Sequence, residues 1–198
     1  GLGDLLTFNS PNPDLQYFQV GDVVDKTITR PANDTFTASE GFVLTDTQNV
    51  FDGDISTVAL AAYPGFSSGN ARGPVWNFSD TPVTLASDEI ILTRLDSPYN
   101  GTKGKWCYYQ TSDGTQFQAS NFSRKPAGQS GTWVSLAATE FSGDNVFTKF
   151  VSYISYTLAG QEKVCGSVVV CDSTTLAVKR IVNNQADVSE VISGEVVN

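Results

Sequence analysis

The sequence predicts an all-β fold, a β-barrel or β-sandwich of about ten short antiparallel strands with long surface loops and little helix. Short runs rich in Val, Ile, Thr, Tyr and Phe recur along the chain. Turn sequences such as Pro31, Asp52-Gly53, Pro64-Gly65, Ser97-Pro98 and Pro126-Ala127-Gly128 separate them. No window holds an apolar stripe at helical spacing over several turns.

The strongest strands lie toward the C-terminal end. Residues 146–158 read VFTKFVSYISYTL, a turn of Ala159-Gly160-Gln161-Glu162 follows, and residues 163–171 read KVCGSVVVC. The turn predicts a hairpin. Both strands are apolar on both faces in places, which predicts central positions in a sheet covered on two sides. A second hairpin joins 105–111 (KWCYYQT) to 115–120 (TQFQAS) through Ser112-Asp113-Gly114. Asp-Gly supplies the positive φ that tight hairpin turns need. Phe117 and Ala119 alternate with Gln116, Gln118 and Ser120, as in a sheet with one wet face. Weaker strands are predicted at 20–29, 41–45, 57–62, 83–85, 89–95 and 132–137.

Two readings stay open after residue 171. Asp172-Ser173-Thr174 caps a helix through Leu176, Lys179, Arg180 and Ile181, or the segment is a strand over 176–182. Residues 63–83 (YPGFSSGNARGPVWNFSDTPV) read as one long ordered loop, because Gly and Pro punctuate a stretch that still carries Phe66, Trp76 and Phe78. A single β-rich domain is predicted over 1–198, with 1–19 and 186–198 as extended arms, the second of them an edge strand or a linker. The chain begins at Gly1-Leu2-Gly3 and contains no Met, which reads as a piece cut from a longer polypeptide.

Composition bounds the function. With 198 residues the chain buries a core without metals or disulfides. Charged residues are only 17%, below the roughly 25% typical of soluble domains, so 20 Ser and 20 Thr must supply much of the polar surface. Twelve basic against 21 acidic residues give a net charge of −9. That field repels phosphates and anionic lipid, which argues against nucleic acid and membrane surfaces as partners. No apolar run is long enough for a transmembrane helix.

The chemistry is equally bounded. The chain has no His, which removes the commonest general base and the Ser-His-Asp and Cys-His mechanisms. Cys107, Cys165 and Cys171 are too few and too separated for a zinc site. Cys165 and Cys171 share one predicted strand, ~20 Å apart, too far to bridge. Buried free thiols are expected, with one disulfide from Cys107 to either partner as the alternative. Asp52-Gly53-Asp54 is the tightest acidic cluster, but it lacks the alternating acids and distal Glu of a calcium loop. No catalytic residue, metal or cofactor is assigned, and an enzyme is not expected.

Recognition is the remaining expectation. Tyr63, Trp76 and Tyr99 lie beside turn residues, where aromatic rings supply rigid contact area. Asn77, Asp80, Asn100 and Lys103 add hydrogen-bonding groups, so these seven residues are the candidate receptor or glycan site. The structural alternative is that each aromatic plugs a barrel end. Four N-glycosylation patterns occur, at Asn33-Asp34-Thr35, Asn77-Phe78-Ser79, Asn100-Gly101-Thr102 and Asn121-Phe122-Ser123. Roughly two are expected by chance, so they favour an exported glycoprotein weakly.

The stretch Asp25-Lys26-Thr27-Ile28-Thr29-Arg30-Pro31, in an acidic, Ser/Thr-rich, β-rich chain, is similar to segments near the core–spike junction of astrovirus capsids. The chain thereby resembles the protruding spike domain of that family. The resemblance implies a homodimer on the virion surface, built around a β-barrel, that attaches to a host cell-surface receptor, protein or glycan. It carries over no receptor-binding residue. If a dimer forms, a Val- and Tyr-rich sheet face is the expected contact.

A second resemblance rests on Gly166-Ser167-Val168-Val169-Val170-Cys171-Asp172 followed by Leu176, which is similar to the closing strand and helix of extracellular Cache-type sensor domains. The chain departs from that family at residues 1–31, where Pro11 and Pro13 break any long amphipathic helix. A secreted adhesin or lectin-like glycan-binding module is the other alternative, with an extracellular location.

Overall fold

The computed structural model describes residues 33–38, 41–62, 70–96, 107–155 and 162–182, and the backbone of four strands toward the chain's two ends. In chain order the strands are β1 (Leu5–Thr7), β2 (Tyr17–Gln19), β3 (Val23–Thr27), β4 (Thr35–Thr37), β5 (Val43–Thr45), β6 (Ala59–Ala62), β7 (Asn70–Asn77) and β8 (Glu89–Leu95). They continue with β9 (Tyr108–Thr111), β10 (Gln116–Gln118), β11 (Ser120–Phe122), β12 (Trp133–Ala137), β13 (Phe147–Ser155), β14 (Glu162–Asp172), β15 (Val178–Ile181) and β16 (Ser189–Ser193). The fold is all-β, as the sequence predicts. Helix is limited to single 3₁₀ turns at Thr47–Val50 and Ala138–Glu140 among the described residues.

The chain falls into two compact units, Gly1–Thr29 with Ala186–Asn198, and Arg30–Gln185. In the first, β1 pairs β2 and β3 pairs β16, both antiparallel. The segments expected as arms thus supply strands β1, β2 and β16.

The second unit is a sandwich of two antiparallel sheets, with no closed barrel. One has five strands in the order β10-β9-β13-β7-β4. The other has seven, β11-β12-β8-β14-β6-β5, with β15 also along β14. At one side the chain passes from sheet to sheet through Ala119, between β10 and β11, and at the other between β4 and β5.

An aromatic row organises the five-stranded sheet. Phe36, Trp76, Phe150, Tyr109 and Phe117 stand directly opposite one another on β4, β7, β13, β9 and β10. Ring centroids along the first four are 4.9, 4.9 and 4.8 Å apart. Edge-to-face and tilted pairs of this kind add about 0.5–1.5 kcal/mol each beyond the area they bury. Phe147 and Phe141 extend the row beside Phe117.

The two polar ring atoms reach the opposite sheet. Trp76 Nε1 donates to the Gly166 carbonyl of β14 at 2.9 Å, and Tyr109 Oη shares a 2.8 Å hydrogen bond with Thr93 Oγ1 of β8. The core is therefore stitched as well as packed.

The central strands of the seven-stranded sheet, β8, β12 and β14, are buried on both faces. Cys165, Val168 and Val170 join the inner core, whereas Val169 and Cys171 join a second cluster with Ile90, Leu92, Trp133 and Leu176. Gly166 and Ser167 face Arg94 alone, because β14 bulges between the pairs Cys165–Leu95 and Val168–Thr93. The bulge shifts the alternation by one residue. Cys165 and Cys171, six apart, thereby end on opposite faces, and all three cysteines are buried and free.

Three local expectations are corrected. The strands expected to form a C-terminal hairpin do not pair, because β13 lies in the five-stranded sheet and β14 in the seven-stranded one. Both are central, and their apolar faces are satisfied from opposite layers. The loop expected over 63–83 contains the eight-residue strand β7. Its Gly73-Pro74 punctuation is a bulge opposite Ser152. A Cβ at Gly73 would come within 2.8 Å of Ser152 Oγ, and that hydroxyl donates to the Pro74 carbonyl at 2.8 Å. Proline is tolerated there because a bulge needs no N–H from it. Finally, the predicted strand at 83–85 is reduced to an isolated bridge between Val83 and Phe147.

After residue 171 the strand reading holds. Asp172 Oδ1 accepts the N–H groups of Thr174 and Thr175 at 2.9 and 2.7 Å, as a helix cap does. The turn then ends at Leu176, whose φ is +58°. Leu176 is buried in the outer cluster, so apolar burial reverses the chain into β15 instead of continuing a helix.

Candidate binding end of the sandwich

Strand register defines one end of the Arg30–Gln185 unit. Ala62 pairs Glu162, Leu95 pairs Cys165, and Asn70 pairs Ser155. The connections 63–69, 97–106 and 156–161 thus all leave one sheet and enter the other at this end. Tyr63, Tyr99, Asn100 and Lys103 fall in these connections and lie outside the described residues.

The roots of the connections are firmly built. Asp96, directly before 97–106, donates its N–H to the Val164 carbonyl at 2.9 Å. Its Oδ1 accepts Thr132 N–H at 2.8 Å and Arg94 Nε at 3.2 Å, and its Oδ2 accepts Arg94 Nη2 at 2.9 Å. Asp96, held by a bidentate ion pair with Arg94, therefore ties the end of β8 to those of β12 and β14. Two glycines make room for it. A Cβ at Gly131 would sit 2.2 Å from Asp96 Oδ1, and one at Gly166 would sit 2.8 Å from Arg94 Cβ.

Lys163 lies beneath the same end and is buried, 3% exposed. Desolvation pulls its pKa down, opposed by the electrostatic influence of Cys107, Cys165 and Asp96. Burial pushes the Cys107 thiol up to about 11, and Cys165 is also pushed up. Such thiols stay protonated and unreactive at neutral pH.

Sequence reasoning singled out neither Arg94, Asp96 nor Lys163. The signal available was Arg94-Leu95-Asp96, opposite charges two apart on one strand face, and a lysine opening an apolar run.

The remaining sequence candidates separate from this end. Trp76 is not a loop-tip residue: it is fully buried in β7, between Phe36 and Phe150 in the aromatic row of the core, and plugs no barrel end. Asn77 closes β7, about 20 Å along the strand from Asn70. Its Oδ1 accepts Ser79 N–H at 3.0 Å. Asp80 lies beyond it, taking the Asn33 N–H on Oδ2 at 3.0 Å and Asn33 Nδ2 on Oδ1 at 3.2 Å. Buried Asp34 returns the tie, accepting Asp80 N–H at 2.8 Å and Thr81 Oγ1 at 2.6 Å. These groups fasten the opposite end of the sandwich, away from the strand ends Ala62, Leu95 and Ser155.

Other clusters turn inward. Asp52 and Asp54 bond within their own loop, to the N–H groups of Asp54 and Ser56 and the hydroxyls of Ser56 and Thr57. On the Val- and Tyr-rich strands, Tyr108 and Val151 are only 7% and 3% exposed within the single chain. The segment similar to a Cache-type closing strand and helix carries β14, a turn and β15.

No protein-family model matches the chain, and no curated protein matches it in sequence.

Proposed function

We propose that this chain is a non-enzymatic attachment module, the protruding spike of a non-enveloped virus capsid, and that the connections 63–69, 97–106 and 156–161 meet a host-cell receptor. The observation that supports the reading is that the strand ends from which these three connections start lie together at one end of the sandwich. Binding residues concentrate on loops held by such scaffolds. Tyr63, Tyr99, Asn100 and Lys103 fall within that set. The net charge of −9 favours a protein or neutral glycan as receptor over nucleic acid or anionic lipid.

The test is a pair of variants read on the same receptor-bearing cells. Tyr99→Ala with Lys103→Ala is expected to reduce cell binding tenfold or more. Asp80→Ala, at the other end, is expected to leave binding within twofold. Equal losses, or a loss confined to Asp80→Ala, overturn the assignment of the binding end. Light scattering tests the spike itself: a dimer is expected, and a strict monomer that binds on a glycan array points to the lectin-like reading.

A further inference from the structure

Of the N-glycosylation patterns, Asn121-Phe122-Ser123 has the most open setting among the described residues. It spans the end of β11, an edge strand of the seven-stranded sheet that pairs only with β12 among the described residues. Phe122 packs on the outer cluster, while Asn121 is exposed. The Asn121 side chain makes no hydrogen bond among the described residues.

The other described patterns are engaged. Asn77 is half-buried, with its carboxamide turned back onto Ser79. Asn33 is clamped to Asp80 through both its N–H and its carboxamide. A glycan on Asn33 would attach to the Nδ2 that donates to Asp80, and one on Asn77 to a half-buried carboxamide, whereas Asn121 is exposed with no such bond among the described residues.

We propose that Asn121 is an acceptor site for an N-linked glycan when the chain passes through a secretory pathway. The donor class is an oligosaccharide carried on a lipid diphosphate. Asn121 Nδ2 bonds to the anomeric carbon, the bond from that carbon to the diphosphate oxygen breaks, and one carboxamide proton is lost to the transferase. The lipid diphosphate leaves, and no redox partner is needed.

The position has two consequences. An exposed strand edge is a template for pairing with another chain, and a glycan there covers it. Asn121 also lies in the row Asn121–Val134–Thr93–Val168, on the flank of the sandwich. That row stands two residues along β8 from Leu95, so a glycan on it lies near the end where β6 and β8 terminate. The inference applies to an exported chain, the setting of the lectin-like reading, and not to a capsid spike that never enters a secretory pathway.

The test is expression of the full chain behind a cleavable signal peptide in mammalian cells. Glycopeptides are mapped from secreted and microsomal material alike, after enzymatic deglycosylation in heavy-oxygen water. The Asn121 peptide is expected to be occupied. Asn121→Gln and Ser123→Ala should each abolish occupancy while leaving the melting temperature within 2 °C (about 0.5 kcal/mol for a domain this size). An unoccupied Asn121 overturns the proposal, as does occupancy that survives Ser123→Ala. Full occupancy of Asn33 or Asn77 with an unchanged melting temperature overturns the structural selection among sites.

Discussion

Single atoms account for several features of this molecule. Trp76 and Tyr109 are large core rings, yet each places one polar atom against a partner in the opposite sheet. Each bond spares a buried group the desolvation cost of being unpaired, about 1–3 kcal/mol. The Arg94–Asp96 pair depends in turn on a missing atom. Gly131 has φ +82°, and its absent Cβ leaves space for Asp96 Oδ1 and Arg94 Nε, which would otherwise be 2.2 and 2.4 Å away. Gly128 and Gly143 also have positive φ, +76° and +78°, with nothing within 4 Å. All three positions share the backbone strain of an alanine substitution, ~1 kcal/mol, but only Gly131 adds a collision with the ion pair. Gly131→Ala is therefore expected to destabilise by at least 1 kcal/mol more than Gly128→Ala or Gly143→Ala. Urea unfolding of the three variants measures this, and equal losses would show that the pair simply moves aside.

At the scale of elements, the outer cluster shows how a turn closes a sheet face. Leu176 occupies the left-handed region, unfavourable for a leucine, and is 3% exposed. Arg124 Nη2 donates to the Thr174 carbonyl at 2.7 Å, joining the chain after β11 to the turn before β15. Leu176→Ala is expected to cost about 2–5 kcal/mol, the usual range for emptying a buried leucine site. Arg124→Ala removes an exposed hydrogen bond and is expected to cost about 1 kcal/mol or less. Denaturant midpoints compare the two, and a Leu176→Ala loss no larger than that of Arg124→Ala would mean the turn does not seal the cluster. The same elements explain what sequence could disclose. β8 was legible at its full extent, 89–95, because a β-branched run stands between clear turns. The β9–β10 hairpin was legible from Asp113-Gly114, and Gly114 indeed has φ +90°. β7 was hidden because Gly73 and Pro74 act as turn residues locally and as a bulge only when Ser152 lies opposite. The partner of β13 was hidden because the sequence after it reports a reversal but not which sheet receives the next strand. The candidate site was legible only as aromatic residues near turns, a description that fits Tyr63 and Tyr99 and equally fits Trp76, whose ring belongs to the core.

For the whole molecule, pH response follows from which carboxylates the fold hydrogen-bonds at its surface and which thiols, phenol and lysine it holds away from water. Asp54, Asp113 and Asp172 have lowered pKa values, each through hydrogen bonds from neighbouring Ser or Thr groups. Their contribution is present above the unfolded value near 3.8 and is lost as pH falls through the lower folded values. The chain has no His to titrate between these carboxylates and the thiols. On the alkaline side, burial holds Cys107 and Cys171 up at about 11 against an unfolded value of 9.0. Cys165 and Tyr109 are raised in the same direction by the same cause. The unfolded chain therefore releases thiol protons that the folded chain retains. Stability from this source is full below pH 9 and is lost as pH rises through the folded values. Lys163 acts oppositely, since its lowered pKa makes the folded state bind fewer protons than the unfolded state near pH 10. Three thiols and a buried phenol oppose one lysine, so the net slope is negative. The urea midpoint is expected to hold between pH 7 and 8 and to fall steadily from pH 9 to 10.5. A variant with Cys107→Ala, Cys165→Ala and Cys171→Ala is expected to be less stable at pH 7 but to show a shallower alkaline decline. A midpoint that stays level up to pH 10.5, or a decline of undiminished slope in the variant, would show that the buried thiols do not govern it.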